Sequence, residues 1–168
     1  TEAQTSVLNG LSVSDFDGDG NPDVVINGND YGTEVSVGRY DALNGLFLKG
    51  DGKGNFKALS ILKSGIYIPG NGKAMVTLKS NGKYLMAASQ NKGALKVFEL
   101  KRKDRFISVM PFDESAIVSY RNGKKQKREI DYGSSFLSQS SRFLSLDSNV
   151  VSVQIKNTKG QVRLLNLQ

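Results

Sequence analysis

A nine-residue acidic segment, residues 15–23, has the residue types and the spacing to bind a metal ion. It reads DFDGDGNPD, so carboxylates stand at its first, third, fifth and ninth positions. Alternation lets the first three carboxylates converge as the chain curls, and Gly18 and Gly20 permit the backbone angles of that curl. Carboxylates crowded together without a cation would repel one another, and Ca²⁺ accepts such a ligand set more readily than Mg²⁺, which retains waters in an octahedral shell. The predicted calcium ligands are four carboxylates and a main-chain carbonyl, from Asp15, Asp17, Asp19, Asn21 and Asp23.

The acidic segment has two alternative interpretations. An EF-hand is excluded, because its twelfth loop position would need a bidentate Glu, and Ile26 stands there inside a strand pattern. A metal-free turn rich in Asp and Gly would have the same composition. We expect a bound ion to hold the loop in place and to take no part in catalysis.

Short alternating apolar runs surround the acidic segment and predict strands. Residues 11–14 predict a strand that enters it, and residues 24–26 predict a strand that leaves it. A hairpin follows, with strands over 46–48 and 56–62 joined by a glycine-rich connection. That connection contains a single carboxylate, Asp51, so we interpret it as a plain turn.

The remaining strands are also predicted to pair as antiparallel neighbours. Three of them follow one another as a meander over residues 74–100, and Asn81-Gly82 supplies the positive φ angles of a type I′ turn between the first two. Two more hairpins are predicted after a basic run, with strands over 116–120, 127–130, 150–155 and 162–167. No window of helical length has a convincing helical period, so the predicted fold class is all-β with antiparallel sheets.

Residues 13–26 resemble the calcium loop of FG-GAP/VCBS repeats, which form the blades of integrin-type β-propellers. The stretches at 28–32, 38–41 and 50–56 look like the end of bacterial VCBS-repeat proteins. This resemblance implies one calcium-bearing blade and one degenerate blade within residues 1–100. Since a propeller needs about four blades or more, it also implies an incomplete propeller with upstream blades in a longer parent chain.

Residues 116–165 resemble the ASPIC/UnbV module, which follows FG-GAP repeats in many bacterial surface proteins. The most specific part is GSSFLSQS at 133–140, which we interpret as a turn-rich strand connection. The family's Gly-Leu-Gly is SLD at 145–147, and its Trp-Pro-Asp-Gly turn is KNTKG at 156–160. The resemblance implies a small C-terminal β module over residues 101–168.

The composition narrows the class of protein. The chain contains no Cys and no His, which excludes thiolate and imidazole zinc sites and nucleophile systems that need a histidine. Residues 1–38 hold seven acidic and no basic residues, whereas the rest of the chain carries 23 basic and 9 acidic residues. The basic runs at 101–105 and 124–128 could contact phosphates or acidic glycans, but we interpret them as a solvated linker and a charged hairpin. We therefore do not expect a nucleic-acid partner.

These patterns lead to one principal hypothesis and two alternatives. The principal one is a non-enzymatic, calcium-binding fragment of an extracellular, cell-surface or periplasmic bacterial protein, acting as a binding or adhesion scaffold for a protein or glycan. The alternatives are an accessory module of a larger polysaccharide-processing or transport system, and a metal-dependent hydrolase. No apolar run approaches the length of a membrane span. Because the chain begins with Thr1, we expect a processed product or a part of a longer protein.

Overall fold

The computed structural model describes residues 2–102, 104–135 and 137–167. Strands account for 50% of the chain and helices for 4%, in several antiparallel sheets, which confirms the all-β prediction. Lys103 of the first basic run and Phe136 of the GSSFLSQS motif lie outside the described residues.

The described residues form two compact units. The first contains residues 2–102 together with Gly133–Ser141, and the second contains residues 104–132 and 142–167. The chain therefore returns to the first unit for a short segment before it completes the second. The division into a blade region over 1–100 and a module over 101–168 stays a prediction, as does the assignment of the sheets to propeller blades.

The first unit contains a four-stranded antiparallel sheet whose strands follow in chain order. Its strands are β1 (Leu8–Ser14), β2 (Asp23–Gly28), β3 (Leu46–Gly50) and β4 (Phe56–Leu59). The strand predicted over 56–62 ends at Leu59, and Ile61–Ser64 forms a single helical turn, α1. Gly65 closes this turn in the left-handed conformation with φ 71°, which glycine adopts without steric cost.

The first unit also contains a three-stranded meander, as the sequence predicts. It consists of β5 (Gly72–Ser80), β6 (Lys83–Gln90) and β7 (Lys96–Leu100). Asn81 and Gly82 have φ angles of 48° and 75°, so both central residues of the turn have the positive φ of a type I′ hairpin. Met75 on β5 and Met86 on β6 are fully buried.

Two fully buried asparagines, Asn27 and Asn29, lie at the end of β2. The side chain of Asn29 donates to the carbonyl oxygens of Leu43 at 2.7 Å and Gly70 at 3.0 Å. Its oxygen accepts from the backbone N–H of Leu43 and from the hydroxyl of Ser6. The NH₂ group and the oxygen of the Asn29 amide therefore both have hydrogen-bond partners, as is usual for a buried polar group. These bonds connect the end of β2 to the segments that contain Ser6, Leu43 and Gly70.

Serines of the segment Gly133–Ser141 lie against the outer edge of β5. The hydroxyl of Ser138 accepts from the N–H of Met75 at 3.1 Å, and that of Ser140 accepts from the N–H of Thr77 at 3.0 Å. Side-chain oxygens therefore satisfy strand donors that a further strand would otherwise satisfy.

The second unit contains a two-stranded and a four-stranded antiparallel sheet. The smaller sheet pairs β8 (Arg105–Ser108) with β11 (Phe143–Leu146). The larger sheet is built from β9 (Asp113–Tyr120), β10 (Lys125–Glu129), β12 (Val150–Asn157) and β13 (Val162–Asn166). Its spatial order is β10-β9-β12-β13. Both sheets contribute to one apolar core, which includes Ala116, Val118, Leu144, Leu146, Val153 and Ile155.

Candidate metal centre

The acidic segment connects β1 to β2 in the first unit. Gly18 and Gly20 have φ angles of 87° and 84°, which give the loop its curl at positions where an L side chain would be strained. Phe16, in the same loop, is buried and packs edge-on against Phe47 with ring centroids 6.2 Å apart. The ring of Phe16 also lies beside that of Tyr84, with centroids 6.5 Å apart, so this side chain holds the loop to the core.

The first three carboxylates are oriented by hydrogen bonds from the loop backbone. The carboxylate of Asp15 accepts from the N–H groups of Gly18 at 2.8 Å and Gly20 at 3.1 Å. One oxygen of Asp17 accepts from the N–H of Asp19, and one oxygen of Asp19 accepts from the N–H two residues further on. Short polar side chains commonly fold a loop in this way.

This arrangement brings Asp15, Asp17 and Asp19 together. They offer carboxylate oxygens that all lie within 4.8 Å of one another, with Asp15 less exposed than the other two. Among the residues that the structure describes, Asp23 does not belong to this group. Three converging oxygen donors are a ligand set suited to a hard cation, so the residues present fit calcium.

Two basic side chains compensate the charge of this group. The ammonium of Lys49 contacts the carboxylate of Asp17 and lies 2.9 Å from that of Asp19. Arg102 lies 3.4 Å from the carboxylate of Asp15, and both of these side chains are about nine-tenths buried. Two cationic side chains from distant parts of the chain therefore already lie beside these carboxylates.

The pKa directions follow from these contacts. The hydrogen bond to Asp17, and then that to Asp19, raises the pKa of the Lys49 ammonium above its ordinary value. Partial burial acts to raise the pKa of Asp19, but hydrogen bonds from Lys49 and Asn21 outweigh it, and the pKa of this carboxyl is lowered. Both directions stabilise the charged forms of the pair.

Asp23 is fully buried and has a different environment. One of its oxygens accepts from the N–H of Phe16 at 2.9 Å and from that of Asp17 at 3.4 Å. The other accepts from the N–H of Gly50 at 2.9 Å. Burial raises the pKa of this carboxyl, and the bonds from Gly50 and Phe16 limit the rise. Asp23 thus joins the loop to β3, and its role as a calcium ligand stays a prediction.

Asn21 lies beside the turn between β3 and β4. A Cβ atom at Gly52 would be 2.3 Å from the side-chain oxygen of Asn21, so a larger residue would displace that side chain, and the φ of 71° at Gly52 would strain it. The backbone N–H of Asn21 donates to the carboxylate of Asp19 at 2.9 Å. The carbonyl of Asn21 as a calcium ligand remains a prediction. In the same turn, Asp51 accepts hydrogen bonds from Lys53 and Asn55.

Lys49 and Arg102 were not predicted to be part of this site. The pairing of β2 with β3 places Leu48 opposite Val24, and this register puts the next residue, Lys49, beside the end of the loop. No local signal identifies Arg102, because its contact with Asp15 depends on how distant parts of the first unit pack.

The basic residues of the second unit are distributed among separate partners. On β10, Lys127 lies 2.7 Å from Glu129, while Arg128 donates to the carbonyl of Ser145. Arg105 donates to the carbonyl of Leu167. These three basic residues therefore contact separate partners and do not converge on one anion site.

The chain matches no protein-family model, and no curated protein matches it significantly. In the part of the chain that the structure describes, every helix is too short or too polar to cross a membrane.

Proposed function

We propose that this chain is a calcium-stabilised, non-enzymatic β-sheet scaffold from a secreted or cell-surface bacterial protein, and that its role is to bind a protein or a glycan. The observation that carries the calcium assignment is the convergence of Asp15, Asp17 and Asp19 in the loop between β1 and β2. Carboxylates and main-chain carbonyls are the ligands that Ca²⁺ prefers.

The surroundings of the loop favour a structural role for the ion. Phe16 is buried in the core, and Asp23 ties the end of the loop to β3. An ion held here would fix the connection between two strands of one sheet. The chain contains no His or Cys, so the alternative of a hydrolase would rest on carboxylates that the loop backbone already engages.

The location and the binding role rest on resemblance. Residues 13–26 look like an FG-GAP/VCBS calcium loop and residues 116–165 like an ASPIC/UnbV module, and both families occur in surface proteins. Upstream propeller blades of the parent chain are the neighbours that this resemblance implies for the first unit.

Calorimetric titration of the chelator-treated protein with CaCl₂ tests the metal assignment. We expect one bound ion, with Asp17→Asn and Asp19→Asn each lowering the affinity about tenfold or more, because each removes a ligand charge. Asp51→Asn is the matched control, since it removes one carboxylate from a nearby glycine-rich turn. Magnesium chloride, titrated in parallel, should bind more weakly.

Two results would contradict the proposal. If all three variants bind calcium as the unmodified chain does, the acidic loop is not the site. If the calcium-loaded protein hydrolyses members of a panel of glycans or phosphodiesters and the Asp17 variant does not, the non-enzymatic assignment is wrong.

A further inference from the structure

Lys49 reaches the acidic loop from the neighbouring strand. Its ammonium contacts Oδ2 of Asp17 and lies 2.9 Å from Oδ2 of Asp19. The Oδ1 atoms of the same two residues accept from backbone N–H groups of the loop. The ammonium therefore occupies the two carboxylate oxygens that the loop leaves available to a cation.

The charges around the loop cannot all remain in place when a divalent ion binds. A calcium ion bound by Asp17 and Asp19 would use the Oδ2 atoms that the Lys49 ammonium contacts. The ion would then lie a few ångströms from the cationic groups of Lys49 and Arg102, and the departure of one of them relieves this repulsion. Like charges a few ångströms apart repel, so binding favours that departure.

The two basic side chains differ in how easily they leave. The Lys49 side chain is 39% exposed, and its flexible stem can turn the ammonium into water. The Arg102 side chain is only 9% exposed and lies against a carboxylate that is equally buried. Withdrawing Arg102 would empty the space that its buried side chain fills, which is costly. Lys49 is therefore the side chain that calcium displaces.

We propose that Lys49 is a tethered counter-ion of the acidic loop, which holds Asp17 and Asp19 together in the ion-free protein and leaves when calcium binds. This inference rests on the proposed function, because it requires the calcium site. The loop then keeps its shape without the ion, and the calcium affinity is lower than the carboxylates alone would give, because the ion must compete with the ammonium.

Calcium titration of Lys49→Met tests this inference, with Lys57→Met as the matched control. Lys57 is the exposed partner of Lys49 in the register of β3 and β4, and among the described residues it forms no ion pair. We expect Lys49→Met to raise the calcium affinity about tenfold and Lys57→Met to change it by less than about twofold. In chelator, Lys49→Met should melt at a lower temperature than the unmodified chain, since three carboxylates then share one cation.

A second measurement uses the unmodified protein and therefore does not depend on the folding of a variant. In the unmodified protein, NMR of the Lys49 ε-methylene and ammonium should change from a restricted, ion-paired signal to that of a solvated lysine as CaCl₂ is added. Equal calcium affinity in the Lys49 and Lys57 variants, or a Lys49 signal that calcium leaves unchanged, overturns the inference while the proposed function stands. If neither the unmodified chain nor Lys49→Met binds calcium, both are overturned.

Discussion

The backbone N–H of Gly50 donates a hydrogen bond to the carboxylate of Asp23 at 2.9 Å, and this contact joins the end of the acidic loop to the end of β3. A Cβ atom at position 50 would lie 2.0 Å from the carbonyl oxygen of Pro22, so the close approach requires glycine. The connection between β1 and β2 is therefore fixed at a strand junction by contacts that involve no ion.

Asp23→Ala is expected to destabilise the first unit even without calcium. The substitution leaves the N–H groups of Phe16 and Gly50 without an acceptor in a buried site, which costs about 3 kcal/mol of unfolding free energy. Asp23→Asn retains one acceptor oxygen and should lose less. Urea denaturation in chelator measures both, and equal stability of Asp23→Ala and the unmodified chain would show that these hydrogen bonds contribute nothing.

Asn29→Ala should be among the most destabilising single substitutions in the first unit. It removes a buried amide that donates to Leu43 and Gly70, and it leaves the N–H of Leu43 without its acceptor. We expect a loss of about 3 kcal/mol, against about 1 kcal/mol for Ser6→Ala, which removes only one donor to the same amide. Thermal or urea unfolding compares the two variants, and a larger loss for Ser6→Ala would contradict this ranking.

Ser138→Ala should expose one edge of β5 to hydrogen exchange. Its hydroxyl is the acceptor for the N–H of Met75, so that amide should exchange about tenfold faster in the variant, which corresponds to about 1.4 kcal/mol of lost protection. Ser141→Ala is the control, because residue 141 contacts Thr77 through its backbone N–H. Unchanged exchange of the Met75 amide in Ser138→Ala would show that another group protects it.

The loss of folding stability at low pH should depend in part on Asp51. The hydrogen bond from the Asn55 side chain, followed by that from the Lys53 N–H, lowers the pKa of Asp51 below its ordinary value of 3.8. A carboxyl with a lowered folded-state pKa stabilises the fold above the unfolded-state pKa, and this contribution is lost as the pH falls below 3.8 through the folded-state value. Asn55→Ala should move the pKa of Asp51 up towards 3.8 in an NMR titration.

Lys53→Ala serves as the control for that titration, because it keeps the backbone N–H that donates to Asp51. It should leave the pKa of Asp51 lowered. If Asn55→Ala and Lys53→Ala move this pKa equally, the charge of Lys53 matters as much as the Asn55 hydrogen bond.

Local features of the fold and site were predictable from the sequence, and non-local ones were not. The turn at Asn81-Gly82 and the convergence of the first three loop carboxylates depend on residues a few positions apart. The contact of Lys49 with the loop depends on strand register, and that of Arg102 depends on tertiary packing. The strand predicted to reach Leu62 ends early, because the apolar pair after Ser60 begins a helical turn that Gly65 closes.

The placement of Gly133–Ser141 in the first unit constrains how this sequence can evolve. Residues on both sides of the segment belong to the second unit, so no single crossover point in the gene separates the two units cleanly. A recombinant that kept only residues 1–102 would lose the serines that cover the N–H groups of Met75 and Thr77, and it would gain an unprotected strand edge prone to intermolecular pairing. The two units are therefore expected to be duplicated, exchanged and lost together.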